Sequence, residues 1–171
     1  GSGSMAEAEK YFLACCQAGL LDKAKDYLEK NKGTVDNKSA TRGLFGLQIA
    51  AGIGNIELVE LLLASGASPA NADNMGLTAL HIAAGKPNLE CLKAMLANPG
   101  VKAQVDAQDE DGNTPLHYAA HEGIAENVTA LLAAGAAKDV ADNNGKTPAQ
   151  DATERGFAEL ATVIEAGGPG P

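Results

Sequence analysis

A chain of 171 residues with 45% hydrophobic content can bury a core, but only 4% of it is aromatic and it has no Trp, so Leu and Ala must carry the packing. Its formal net charge of −9, with no Lys/Arg cluster as a local exception, argues against phosphate backbones and anionic membrane faces as partners and leaves basic or apolar protein surfaces. The longest apolar runs, such as Leu61-Leu62-Leu63-Ala64, fall far short of a membrane span, and the N-terminus lacks the basic-then-apolar pattern of a signal peptide.

Taken in chain order, residues 1–4 read as an expression scar and 5–166 as a single domain, with 167–171 a flexible Gly/Pro tail. Residues 6–39 form an atypical first unit, in which Phe12-Leu13-Ala14-Cys15-Cys16-Gln17-Ala18-Gly19 foreshadows the first helix of later units, and 31–41 reads as an extended loop. Full units follow over 40–72, 73–108 and 109–141, and a terminal half-unit over 142–166. They are defined by one recurring segment: Phe45-Gly46-Leu47-Gln48, then Thr78-Ala79-Leu80-His81 after 33 residues, Thr114-Pro115-Leu116-His117 after 36, and Thr147-Pro148-Ala149-Gln150 after 33. A fixed period of this length marks a stacked-repeat solenoid, in which each unit buries its apolar side against its neighbours.

The third copy shows the local physics. Asp109-Glu110-Asp111-Gly112 is a turn, its Asp able to bond back to the chain and its Gly free to take positive φ. Thr114 caps a short helix that Pro115 starts at no hydrogen-bonding cost, and that helix ends near Gly123. A second helix over 124–134 carries Val128, Leu131 and Leu132 on one face and closes on a left-handed Gly135. Asp73-Asn74-Met75-Gly76 and Asp142-Asn143-Asn144-Gly145 are equivalent turns, and Gly54, Gly123 and Gly156 mark the break between helices.

This grammar resembles the ankyrin-repeat family, whose unit runs turn, Thr-Pro-Leu-His helix, Gly break, Leu-Leu helix, Gly-Ala, and the resemblance covers roughly residues 40 to 165. It implies an all-α repeat solenoid of turn–helix–loop–helix units. Departures from the pattern carry their own expectations. Phe45-Gly46 in place of Thr-Pro should remove one cap and one proline start. Pro87 stands where the break glycine belongs and cannot take positive φ, which passes the turn to Gly85. Asn98-Pro99-Gly100-Val101-Lys102 lengthens the middle unit and should enlarge a loop.

The residues that could suggest chemistry have plainer readings. His117 and His121 lie one helical turn apart without a third metal ligand, and the resemblance assigns His81 and His117 to hydrogen bonds tying one turn to the next. The acidic run before Gly112 would place Ala107 and Tyr118 at the calcium-ligand ends, where neither supplies a carboxylate. Gly52-Ile53-Gly54 lacks the third glycine of a dinucleotide fingerprint. Cys15, Cys16 and Cys91 read as packing residues in a reducing compartment. No catalytic residue, metal or cofactor is expected.

What the resemblance implies is a non-catalytic protein–protein interaction module, monomeric and cytoplasmic or nuclear, binding a partner protein through a concave face of turn tips and first helices. Carried over by alignment, that face takes Arg42, Leu44 and Ile53 from the first full unit and Met75, Leu77 and Lys86 from the second. The third gives Glu110, Asp111, Asn113, His121 and Glu122. Two arrangements stay open for the apolar members: an exposed cluster at Ile53, Met75 and Leu77, or Leu44 and Leu77 folded onto their own turns with Ile53 under the N-terminal loop. Alternative functions are a standalone regulatory inhibitor of an enzyme or transcription factor and, more remotely, a metal- or thiol-dependent enzyme using His117, His121 or Cys91.

Overall fold

In a computed structural model that describes residues 2–31, 35, 36, 38 and 45–170, the regular structure is helical, and no strand forms among the described residues. Helices pair in antiparallel hairpins: α1 (Ser2–Gln17) with α2 (Leu21–Lys30), α3 (Gly46–Ile53) with α4 (Ile56–Ala64), and α5 (Ala79–Ala84) with α6 (Leu89–Leu96). A one-turn α7 (Pro99–Lys102) follows, then α8 (Pro115–His121) with α9 (Ala125–Ala133) and α10 (Pro148–Glu154) with α11 (Ala158–Glu165). First helices stack in the order α1, α3, α5, α8, α10, and second helices in the order α2, α4, α6, α9, α11.

Small residues let the first helices approach. The Ala50-Ala51, Ala83-Ala84 and Ala119-Ala120 pairs are all buried, and Leu62, Met95, Leu131 and Ile164 fill the gap to the second helices. The core is therefore a continuous seam along the stack rather than one central cluster. At the N-terminal end, Phe12 stacks on Tyr27 with ring centroids 4.8 Å apart, and Cys16 lies beneath Gly46.

Polar side chains fix the spacing between units. Thr78 and Thr114 cap α5 and α8, and His81 and His117 accept the cap residue's own backbone N–H on Nδ1 at 3.1 Å. That leaves each ring's Nε2–H to donate across to the next unit, His81 to Asn113 O and His117 to Lys146 O, both at 2.9 Å. Gln48 does the same work in its unit: Oε1 accepts from Phe45 N at 2.8 Å while Nε2 donates to Leu77 O. The missing Thr therefore costs that helix its side-chain cap but not its link to the following unit. The turns are joined as well, by Glu110 N donating to Met75 O at 3.0 Å and Asn143 N to Asp111 O at 2.9 Å.

Two departures resolve differently from the sequence expectation. The inserted 98–102 segment is not an enlarged loop but the helix α7, because Asn98 Oδ1 accepts from Gly100 N and Val101 N at its start and Pro99 needs no donor there. Val101 is buried, and Gly100 sits tight against the Pro69 ring of the preceding unit. At the α5–α6 break, Gly85 does not take over the left-handed turn. Its φ is −85°, whereas Gly19, Gly54, Gly123 and Gly156 all have positive φ at the other breaks. Most of 31–41 lies outside the described residues. Within it, Val35 is buried and the Asp36 carboxylate accepts from Ser68 N.

Candidate functional site

The first helices and the turns that precede them present one continuous face, and helical periodicity decides which residues reach it. Starting from each unit's cap, positions four, seven and eight residues on border the face, giving Ile49, Gly52 and Ile53 on α3 and Ile82, Gly85 and Lys86 after the start of α5, with the fourth position half-buried and, at Ile49 and Tyr118, packed against the core. On α8 they are Tyr118, His121 and Glu122, and on α10 Asp151, Glu154 and Arg155.

The structure places the expected residues unevenly. Ile53 is 46% exposed and Met75 57%, so neither is covered by another part of the described chain. Leu77 is half-buried, its carbonyl engaged by Gln48, and it belongs partly to its own turn. Lys86, Glu110, Asp111, His121 and Glu122 are exposed, and Asn113 is half-buried. Met75 and Glu110 are brought together by the bond between their turns. Arg42 and Leu44 lie outside the described residues.

Between α8 and α10 the face deepens into a shallow cleft lined by Asn113, His117, Tyr118, His121, Glu122 and Asp151. His121 Nδ1 stands 3.2 Å from the Asp151 carboxylate, a contact that is an ion pair only when the ring is protonated. Arg155 donates its Nε to His121 O at 3.3 Å. Lys146 is committed to Glu154 at 2.6 Å. Tyr118 donates its hydroxyl to Asp109 Oδ2 and meets the His81 ring edge-on at 5.7 Å. Burial and then that hydrogen bond raise the phenol's pKa, so Tyr118 stays a neutral donor.

Sequence reading missed Tyr118, Asp151 and Ile82 on this face. The signal was present: Tyr118 and Asp151 each precede an aligned face residue by one helical turn, so the same periodicity would have found them.

His81, His117 and Asp109 are engaged within the stack of units. Both ring nitrogens of His81 and of His117 are spent on Thr caps and the next unit's carbonyl. The Asp109 carboxylate accepts from Asp111 N, Asn113 N and Tyr118 OH, which makes it a turn-former. Cys15, Cys16 and Cys91 are free thiols and buried. Desolvation pushes Cys16 up to about 12, with its neighbour Cys15 adding to the effect, and desolvation raises Cys91. No described helix is long and apolar enough to cross a membrane.

A family model described as ankyrin repeats (three copies) matches residues 12–109 and, a second time, 88–166. No curated protein matches the chain.

Proposed function

The chain belongs to the ankyrin-repeat family, whose repeats are generally protein–protein interaction modules, and we propose that it binds a partner protein, without catalysis, through the first-helix face and turn tips. The single domain carrying this face is taken as 5–166, acting as a monomer in a reducing, cytoplasmic or nuclear setting; three buried free thiols support that setting. The observation that carries the reading is the exposure of Ile53 and Met75, at 46% and 57%, on a face that turns polar and acidic toward Glu110, Asp111 and Glu122. Large apolar side chains left in water beside a polar surround are what a partner's apolar anchor would cover.

Charge sets the partner's other half. Glu110, Asp111 and Glu122 lie further along the same face, and none of them forms an ion pair among the described residues. A partner segment with apolar side chains over Ile53, Met75 and Leu77 and basic groups over these carboxylates satisfies both ends. The stacked units hold the face in shape before the partner arrives, which lowers the ordering cost of binding.

The test is partner capture with Ile53→Glu and Met75→Glu. Both positions are exposed, so the variants should keep the wild-type helical spectrum and lose about tenfold or more in affinity. Unchanged capture by both folded variants would remove the proposal.

A further inference from the structure

We propose that Asn144, in the Asn144-Gly145 turn, is a spontaneous modification site, whose side-chain amide is lost through a cyclic imide to leave aspartate or isoaspartate on that turn tip. The inference is independent of the reading of the face as a recognition surface, since the reaction needs only this turn and water.

The residue pair sets the chemistry. The backbone nitrogen of Gly145 gives up its proton and forms a C–N bond to Asn144 Cγ, and the side-chain nitrogen leaves as ammonia. Water then opens the imide ring at one of its two carbonyls. Opening at Cγ restores the ordinary main chain and gives aspartate, whereas opening at the main-chain carbonyl leaves Gly145 joined to Cγ and gives isoaspartate. A side chain on the residue that supplies the nitrogen would crowd the ring, and glycine has none. Asn144-Gly145 is the single Asn-Gly pair in the chain.

The fold leaves this pair open where it closes the equivalent turns. Asn144 and Gly145 are both exposed, and no hydrogen bond holds the Asn144 side chain among the described residues. Asn143 beside it is held, its Nδ2 donating to Glu110 O at 2.9 Å. In the two preceding turns Met75 O accepts from Glu110 N and Asp111 O from Asn143 N, so a neighbouring unit grips the peptide ahead of each glycine. A Cβ would lie 2.9 Å from Glu110 N at Gly76 and 2.8 Å from Asn143 N at Gly112, but would meet nothing within 4 Å at Gly145. The restraint on the attacking nitrogen is local: Gly145 N donates to Asp142 O at 2.9 Å, and that bond must open first.

The product bears on the stack. Either opening adds one negative charge to a chain already at −9. Isoaspartate also lengthens the main chain by one methylene inside the turn that Asp142 closes onto Lys146. Lys146 O is the acceptor for His117 Nε2, so the lengthened turn loosens the tie between α8 and the unit of α10.

The test ages the full chain for weeks at neutral and at mildly alkaline pH in water enriched in heavy oxygen, with the free 139–146 peptide aged alongside. Digestion at acidic pH and mass spectrometry then locate the lost amides. Asn144 should become both aspartate and isoaspartate, each carrying a solvent oxygen, at a rate within about tenfold of the free peptide's, because one turn hydrogen bond is the restraint. Conversion should be faster at alkaline pH, where the Gly145 nitrogen loses its proton more readily, and Asn143 should keep its amide. Gly145→Ala should slow it by about tenfold or more, and Asn144→Gln should abolish it. The isoaspartyl form, isolated by chromatography, should melt below the unaged chain. An amide intact at Asn144 while the free peptide converts, aspartate without isoaspartate, or an undiminished rate in Gly145→Ala would overturn the assignment. Melting of the isoaspartyl form at the unaged temperature would overturn its effect on the stack.

Discussion

Asn127 Nδ2 donates to Ala84 O at 3.0 Å, and Ala84 O is the carbonyl that Pro87, lacking an N–H, leaves without its usual donor. At the other breaks a left-handed glycine makes this bond itself: Gly19 N to Cys16 O, Gly54 N to Ala51 O, Gly123 N to Ala120 O and Gly156 N to Thr153 O. The α5–α6 break has Pro87 at that place, and the missing donor comes from the following unit, with the same amide also reaching Lys86 O at 2.7 Å. Asn127 is fully buried to make these bonds, where the equivalent residues Leu58, Cys91 and Leu160 are apolar. Its Oδ1 has no partner, which is the cost of the substitution.

Pro87 and Asn127 should therefore be energetically coupled. Asn127→Leu removes the donor from two carbonyls and is expected to destabilise by about 1–3 kcal/mol. In a Pro87→Gly background the restored amide can serve Ala84 O, and Asn127→Leu should then be near neutral, since it also removes the orphaned Oδ1. A double-mutant cycle in urea measures the difference, and additive losses would contradict the coupling.

The buried His81 links stability to pH. Desolvation holds its imidazole below the ordinary histidine value of 6.5, against the opposing pull of the Asn113 carbonyl and the Asp109 charge. The unfolded chain thus binds the proton more readily, and stability rises with pH across the interval between the two values. The stability His81 provides is complete above about pH 6.5 and is lost as the pH falls below it. His81→Gln should keep the bond to the next unit, as Gln48 does in its own, and should lessen the fall in melting temperature between pH 8 and pH 5 (both on the scale of the ordinary histidine value). An identical fall in the variant would show that other groups are responsible.

Three turn glycines separate backbone strain from contact between units. Gly76, Gly112 and Gly145 have φ of 81°, 80° and 77°, so alanine meets the same conformational penalty at each. A Cβ would lie 2.9 Å from Glu110 N at Gly76 and 2.8 Å from Asn143 N at Gly112, but would meet nothing at Gly145. Gly145→Ala should cost about 1 kcal/mol, and the other two roughly 1–3 kcal/mol more, because a turn must move off its neighbour. Equal losses at all three would mean that the turns do not depend on this close approach.

The thiols should report on folding. With Cys16 pushed up to about 12 and Cys91 also raised by burial, native protein at mildly alkaline pH should react slowly with an aromatic disulfide reagent. All three thiols should react promptly after unfolding in urea. Rapid labelling of Cys16 or Cys91 in the native state would contradict their burial.

Much of the fold was legible because its grammar is local. An Asp accepting amides two and four residues on, a Thr capping the residue three on and a Gly with positive φ each act within one turn of chain, so a period of 33 residues repeats them as a readable pattern. The spacing put Ile53 and Met75 on the face but left open whether Ile53 was covered, and their exposures of 46% and 57% came from the tertiary structure. The Gly85 turn and the 98–102 loop were misread, because the insertion helix docks on Pro69 and the glycine-less break borrows its donor from Asn127.

The sequence by itself thus determined the family of the unit and most of its caps and turns, since these follow from residue spacing along a single helix or turn. Only the tertiary structure decided what the units do for one another. Asn127 serves Ala84 from 43 residues away, and His121 meets Asp151 across 30. It also set Tyr118 and Asp151 on the walls of one cleft. Those relationships depend on how one unit sits on the next, a distance fixed by packing volume and inter-unit hydrogen bonds rather than by periodicity along the chain.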